Sequence, residues 1–130
     1  WEYACRAGTK SAYSFGDDAS QLVDYAWLKD NSDGTVHPVG QMKPNQFGLY
    51  DMHGNMWEWC QDRWSETLPG GSVLDPQGPT TGPGRVSRGG HWYDDQNVLI
   101  YCRSALRFGD YPTFKNFDIG FRVVLAPGQP

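Results

Sequence analysis

The sequence predicts an α+β fold, an irregular, loop-rich domain with one small antiparallel sheet. The 130 residues include 16 Gly and 9 Pro, which favour turns over long regular elements. Six Trp, seven Tyr and six Phe supply a core made of few, large side chains. A chain of this length is enough for one domain, which buries about two thirds of the surface that its unfolded chain exposes. We therefore interpret residues 1–130 as a single domain.

The chain begins with a short helical pattern. Residues 1–6 carry apolar side chains at Trp1, Ala4 and Cys5, and Gly8 is well placed to end a helix. Beyond this helix, residues 30–34 are typical of a turn.

The rest of the chain is organised around residues 47–62. Gly48, Gly54 and Asn55 lie among aromatic residues, which predicts a sharply bent backbone with left-handed conformations beside buried rings. From Met56 onward the apolar pattern changes to a period of two, which predicts a half-buried strand.

Two later segments complete the predicted sheet. Residues 85–88 alternate into a Gly-Gly pair, and residues 120–125 form a second strand candidate, so we expect the two to pair within one sheet. Residues 68–84 are rich in Pro and Gly, which predicts a surface loop and not a domain boundary.

Charge and cysteine content exclude several classes of protein. The net charge of -4 offers no basic field for nucleic acid. No apolar run approaches the length of a membrane-spanning helix, about 20 residues, so membrane insertion is not expected. Cys5, Cys60 and Cys102 are odd in number and lack CxxC spacing, which indicates neither a zinc site nor a full disulfide framework. No Gly-x-Ser-x-Gly elbow supports a hydrolase.

The central stretch also carries candidate metal ligands. Asp51, Asn55 and Glu58 bring oxygen atoms together on a curved backbone, with the carbonyls of Gly54 and Met56 between them. Such a set suits a hard cation. Alternatively, Asp51 caps a turn while Glu58 pairs with an arginine, and either arrangement has a structural role. The candidate arginines are Arg85, Arg88 and Arg122.

Residues 47–59 resemble a hallmark of the formylglycine-generating enzyme (sulfatase-modifying factor) superfamily, whose fold is C-type-lectin-like. Further matching motifs lie at residues 1–8, 37–40, 85–90, 102–105 and 119–122. The resemblance implies that the chain is the C-terminal portion of such a domain. It also implies a structural calcium ion, held by the side chains of Asp51 and Glu58 and the backbone of Gly54 and Met56.

The same resemblance argues against copper chemistry. In the formylglycine-generating oxidases, two cysteines after the Gly-Gly motif hold copper, because Cu(I) requires soft thiolate ligands. A gap-free register on Gly89, Gly90 and Arg107 places Asp94 and Leu99 at the two cysteine positions. We therefore expect no copper and no copper-dependent formylglycine formation.

Residues 91–118 mix aromatic side chains with Asp, Asn and Gly, which is typical of a binding face because rigid rings supply contact area at low entropic cost. They also resemble the variable segments of diversity-generating-retroelement proteins, which use the same fold. The alternative is that these rings belong to the core or to ordinary family loops. The predicted ligand-binding residues are Tyr93, Asp94, Leu99, Leu106, Phe108, Asp110, Tyr111, Phe114 and Phe117.

Two functional hypotheses follow. The first is a non-catalytic module that displays residues 91–118 to a protein or other macromolecular ligand. The second is an enzyme domain, either a truncated family oxidase or the partner half of a larger oxidoreductase. The missing cysteine pair favours the first hypothesis.

Overall fold

The computed structural model describes residues 1–68, 70–74, 76–93 and 97–125. The fold is a loop-rich α+β domain, as the composition predicts. Its elements in chain order are α1 (Glu2–Arg6), a 3-10 turn (Ala19–Gln21), α2 (Leu22–Tyr25), β1 (Trp57–Arg63), β2 (Arg85–Arg88), α3 (Val98–Tyr101), β3 (Phe108–Asp110) and β4 (Ile119–Gly120). In the described part of residues 68–84, the chain forms neither helix nor strand.

The four strands form one sheet in the order β3-β2-β1-β4. Strand β2 runs antiparallel to both β1 and β3, whereas β4 runs parallel to β1. The sheet is therefore mixed and not purely antiparallel as predicted. The alternation of side chains that identifies a strand does not encode its direction, which here depends on how residues 111–118 return the chain to β1.

The prediction that the two later strands pair with each other is also wrong. Both lie in the sheet, but β1 separates them, and the last strand is limited to Ile119–Gly120. It begins where the Trp57 N–H donates to the Asp118 carbonyl at 2.8 Å, and its register partners are Trp57 and Glu58. Residues 121–125 form no strand, and the Arg122 side chain donates to Glu58.

Helix α1 ends at Arg6, and its C-cap is Ala7 and not the predicted Gly8. Ala7 adopts the left-handed conformation with φ of 48°, and its N–H donates to the Tyr3 carbonyl. Gly8 follows with φ of 93°. The core cluster consists of Tyr13, Leu22, Ala26 and Leu28 from the first part of the chain and of Cys102, which follows α3.

The central turn is bent as predicted, but its residues contribute to the bend in different ways. Gly48 and Asn55 have positive φ angles of 75° and 69°, as expected, and Asp51 joins them at 58°. Gly54 is needed for close packing, since a Cβ at this position would lie 2.6 Å from the Trp27 carbonyl oxygen.

His53 links the core segments through a buried polar network. Its Nδ1 lies 2.7 Å from the Cys102 carbonyl, which can only accept, so Nδ1 carries the proton. Its Nε2 then accepts from the Ser14 backbone N–H at 3.1 Å. Burial lowers the pKa of His53 and raises the pKa of the neighbouring Cys5 thiol to about 11. The histidine is therefore a neutral structural residue and Cys5 an unreactive thiol.

No helix in the described ranges is long and apolar enough to cross a membrane.

Candidate functional site: the 91–118 face and the central cavity

The 91–118 face rests on a buried tryptophan. Trp57 in β1 is only 9% exposed, and the Phe108 ring in β3 lies 6.0 Å from its ring. The rings of His91 and Tyr101 both lie 5.9 Å from the same indole. The central strand of the sheet thus fixes the positions of three segments of the face.

Most of the predicted ligand-binding side chains point to solvent. Leu106 and Asp110 are half-buried, and Asp94 lies outside the described residues. The others are between 46% and 64% exposed, and they are Tyr93, Leu99, Phe108, Tyr111, Phe114 and Phe117.

Ring contacts and backbone hydrogen bonds hold these exposed side chains in place. Tyr93 and Phe117 form an edge-to-face pair with centroids 5.9 Å apart, and the buried Trp92 ring lies 5.3 Å from Tyr93. The Phe114 N–H donates to the Tyr111 carbonyl at 2.8 Å and closes a turn between two rings. These contacts restrict the rings, and a side chain that is already restricted loses less conformational entropy in any contact that it makes.

Carboxylates lie beside these rings. Asp118 is 3.6 Å from Nδ1 of His91. Burial and the charge of Asp118 raise the pKa of the Asp110 carboxyl. One end of the face therefore favours a ligand group that is neutral or positively charged.

The predicted metal ligands line a separate cavity of about 410 Å³. The buried Asp51 accepts from the Gly40 N–H through Oδ2 at 2.8 Å, while its Oδ1 has no hydrogen-bond partner in the described chain. Gly54, Met56 and Glu58 also line this cavity. An orphaned, buried carboxylate oxygen is costly unless something compensates it.

Glu58 already has protein partners. Its Oε2 accepts from Trp1 Nε1 at 2.7 Å, and both its oxygens accept from Arg122. Of the candidate arginines, Arg122 forms the ion pair with Glu58, whereas Arg88 pairs with Glu2. Carboxylate oxygens keep further lone pairs after one hydrogen bond, so the donor set still fits a hard cation at Asp51.

The Asn55 side chain is hydrogen-bonded to the His37 backbone. Its Oδ1 accepts from the His37 N–H and its Nδ2 donates to the His37 carbonyl, both at 3.0 Å. No group of three or more His, Cys, Asp or Glu side chains that could hold a metal occurs in the described part of the chain. A cation here would therefore need backbone carbonyl ligands beside the Asp51 and Glu58 carboxylates.

The structure describes one of the two positions at which the family resemblance expects a copper-binding cysteine, namely Leu99. Leu99 lies on α3 with its side chain exposed, while its carbonyl accepts from the Tyr13 hydroxyl at 2.5 Å. Cys102, the nearest thiol in sequence, is fully buried in the core. It therefore does not substitute for a thiol at Leu99.

Comparison with known proteins identifies the class as the formylglycine-generating-enzyme-like proteins with a C-type-lectin-like fold, as the motifs indicate. Residues 1–127 match the model of the sulfatase-modifying factor enzyme 1-like domain, and the chain belongs to this family.

Individual relatives include both enzymes and proteins of other kinds. Formylglycine-generating enzyme from Thermomonospora curvata is 33% identical over 98% of this chain and 47% of its own length. Inactive C-alpha-formylglycine-generating enzyme 2 from Mus musculus is 30% identical over 100% of this chain and 42% of its own length. The solved structure of Treponema denticola variable protein 1 has a TM-score of 0.85 and 38% identity, over 93% of this chain and 43% of that chain. The chain thus spans about half the length of these relatives.

Proposed function

We propose that this domain is a non-catalytic binding module that presents the 91–118 face to a protein or other macromolecular ligand. The observation that carries the proposal is the exposure of Tyr93, Phe108, Tyr111, Phe114 and Phe117 on a support fixed by buried Trp57 and Trp92. Folding alone gives no reason to expose so many rings in one segment, because their burial would stabilise the domain.

The energetics of interfaces support this proposal. Binding energy gathers in a few aromatic or arginine anchors, each worth about 2 kcal/mol or more on truncation. Tyr111 and Phe114 lie at the two ends of one hydrogen-bonded turn, and Phe108 lies on a paired strand. Rings held in this way lose little further freedom when a ligand binds.

Similarity to the inactive murine relative supports a non-catalytic role. The presence of Asp94 and Leu99 at the two copper-cysteine positions supports it further. The second candidate, an enzyme domain, is favoured by the 33% identity to a formylglycine-generating enzyme.

We also propose a structural calcium ion in the central cavity. Asp51 Oδ1 would supply an uncompensated charged oxygen, Glu58 a second carboxylate, and Gly54 and Met56 their carbonyls. Such an ion would hold the bend that precedes β1, and with it the position of Trp57 beneath the face.

The test is affinity capture with matched variants. Immobilised wild-type domain, Phe108→Ala, Tyr111→Ala and the control Phe47→Ala are compared for the proteins that they retain, by quantitative mass spectrometry. Phe47 is 49% exposed and Phe108 is 46% exposed, but Phe47 lies outside the face. We expect a partner that wild type and Phe47→Ala retain and that both face variants lose. Equal retention by all four proteins would contradict the proposal.

A further inference from the structure

Two carboxylates lie among the exposed rings of the 91–118 face. Phe108 and Asp110 are two residues apart in β3, so their side chains leave the strand on the same side of the sheet. The Phe108 ring lies 6.0 Å from the Trp57 ring, and the His91 ring lies 5.9 Å from the same indole. Nδ1 of His91 is in turn 3.6 Å from Oδ2 of Asp118. Asp110 and Asp118 therefore belong to one continuous surface.

The Asp110 carboxylate has no cationic partner in the described part of the chain. Its side chain forms no hydrogen bond or ion pair with a described residue. Burial and then the negative charge of Asp118 raise its pKa, and no described Arg or Lys opposes this shift. The two carboxylates are thus close enough to repel each other, which is unfavourable unless a positive charge offsets it.

His91 does not supply this positive charge in the arrangement observed. The 3.6 Å between its Nδ1 and Asp118 exceeds the length of a hydrogen bond. The Tyr93 N–H donates to the same nitrogen at 3.4 Å, so Nδ1 carries a lone pair and the ring is neutral. The residues that the structure does not describe include no Lys, Arg or His. The charge that offsets the two carboxylates must therefore come from a ligand.

We propose that the partner inserts a basic side chain, Arg or Lys, between these two carboxylates and the neighbouring rings. This inference rests on the binding role proposed above and names the chemistry of its ligand. Asp110 precedes the exposed Tyr111, and Asp118 follows the exposed Phe117. A guanidinium or ammonium group is attracted both by carboxylates and by the faces of aromatic rings.

Other kinds of ligand group fit this surface less well. An anionic group would meet the charges of Asp110 and Asp118. A purely apolar group would bury both carboxylates without a counter-charge, which is costly. A hard metal ion needs several oxygen ligands in direct contact and gains nothing from the rings of Tyr111 and Phe117. The rings and carboxylates together therefore select an organic cation.

The experiment uses a random dodecapeptide library displayed on phage and selected on the immobilised domain. We expect the retained peptides to be enriched severalfold in Arg and Lys over the input library. The tightest peptide is then synthesised with each Arg replaced by citrulline or each Lys by acetyl-lysine, which are neutral side chains of similar shape. In fluorescence polarisation, the neutral form should bind about tenfold more weakly or worse, because charge-assisted contacts are lost.

Matched variants locate the charge that the peptide meets. Asp110→Asn should weaken the basic peptide by about tenfold and leave the neutral peptide unchanged, as expected for two groups in direct contact. Asp30→Asn is the control, because it changes the net charge equally at an exposed position outside the face. It should alter neither affinity. Asp110→Asn should also keep the melting temperature of wild type, since no described residue pairs with this carboxylate.

The outcomes separate this inference from the proposed function. Peptides that require Phe108 and Tyr111 but show no enrichment in basic residues would overturn the basic side chain and leave the binding face intact. Equal affinity of the basic and neutral peptides, or an equal effect of Asp110→Asn and Asp30→Asn, would do the same. Peptides that bind Phe108→Ala and Tyr111→Ala as tightly as wild type would contradict the face itself. A selection that retains no peptide would also overturn the inference.

Discussion

The buried histidine should make the domain lose stability as the pH falls below about 6.5, the usual pKa of a free histidine side chain. Burial lowers the folded-state pKa of His53, so the unfolded chain takes up a proton first as the pH falls. The contribution is fully present above the unfolded-state pKa and is lost as the pH falls towards the folded-state pKa. The main cause of the lowered pKa is burial, and protonation would also place an N–H of Nε2 against the Ser14 N–H that donates to it.

The magnitude follows from proton linkage. One histidine contributes a slope of up to about 1.4 kcal/mol per pH unit between its two pKa values. His53→Gln should reduce this slope, because an amide can accept from Ser14 and donate to the Cys102 carbonyl without titrating. Loss of ideal geometry in a buried network should also lower the stability of the variant at pH 7.5 by about 1–3 kcal/mol.

The assay is urea denaturation at pH 7.5, 6.5 and 5.5, with linear extrapolation to water. His37→Gln is the matched control, because His37 is hydrogen-bonded to Ser32 and is only partly buried. We expect the difference in unfolding free energy between wild type and His53→Gln to shrink as the pH falls. A difference that is constant across the three pH values would refute a neutral, buried His53.

Three further predictions concern the sheet, the cation and the chemistry. Trp57→Ala should destabilise the domain by about 3–5 kcal/mol, whereas Tyr111→Ala should change the unfolding free energy by less than about 0.5 kcal/mol, and urea denaturation measures both. In differential scanning fluorimetry, chelator should lower the melting temperature of wild type and leave that of Asp51→Asn or Glu58→Gln nearly unchanged. An equal response of all three proteins would contradict the proposed calcium ion. Incubation with Cu(I) and a cysteine-containing sulfatase peptide should yield no aldehyde above a metal-free control, by mass spectrometry, and aldehyde formation would restore the enzyme hypothesis.

Local patterns predicted the elements whose cause is local. The period of two after Met56 predicted β1, and the Gly and Asn content of residues 47–62 predicted its preceding bend. The parallel direction of β4 was not predicted, since only the path of residues 111–118 determines it. The prediction that Gly54 serves a left-handed conformation was also wrong. Gly54 is needed because the Trp27 carbonyl packs against it, and local sequence patterns do not reveal a contact with a segment about 27 residues away.

In the candidate site, too, local sequence patterns predicted some features and missed those that depend on distant segments. The composition of residues 91–118, together with their resemblance to diversity-generating-retroelement variable segments, predicted this face as a candidate site. The partner of Glu58 remained open among three arginines, because the choice of Arg122 depends on how residues 121–125 leave the sheet. Asn55 was assigned an oxygen-ligand role because its type and spacing suited one, and this stays a prediction. Local spacing did not indicate that its side chain bonds to the His37 backbone.

The most direct test of the central claim is isothermal titration calorimetry with a partner identified by capture. We predict that Tyr111→Ala weakens the affinity for that partner by about 30-fold or more, the equivalent of about 2 kcal/mol. The same variant should keep the melting temperature of wild type to within about 2 °C, because its ring is exposed. An unchanged affinity for Tyr111→Ala and Phe108→Ala, or a loss of affinity that only follows a loss of folding, would contradict the 91–118 face as the binding site.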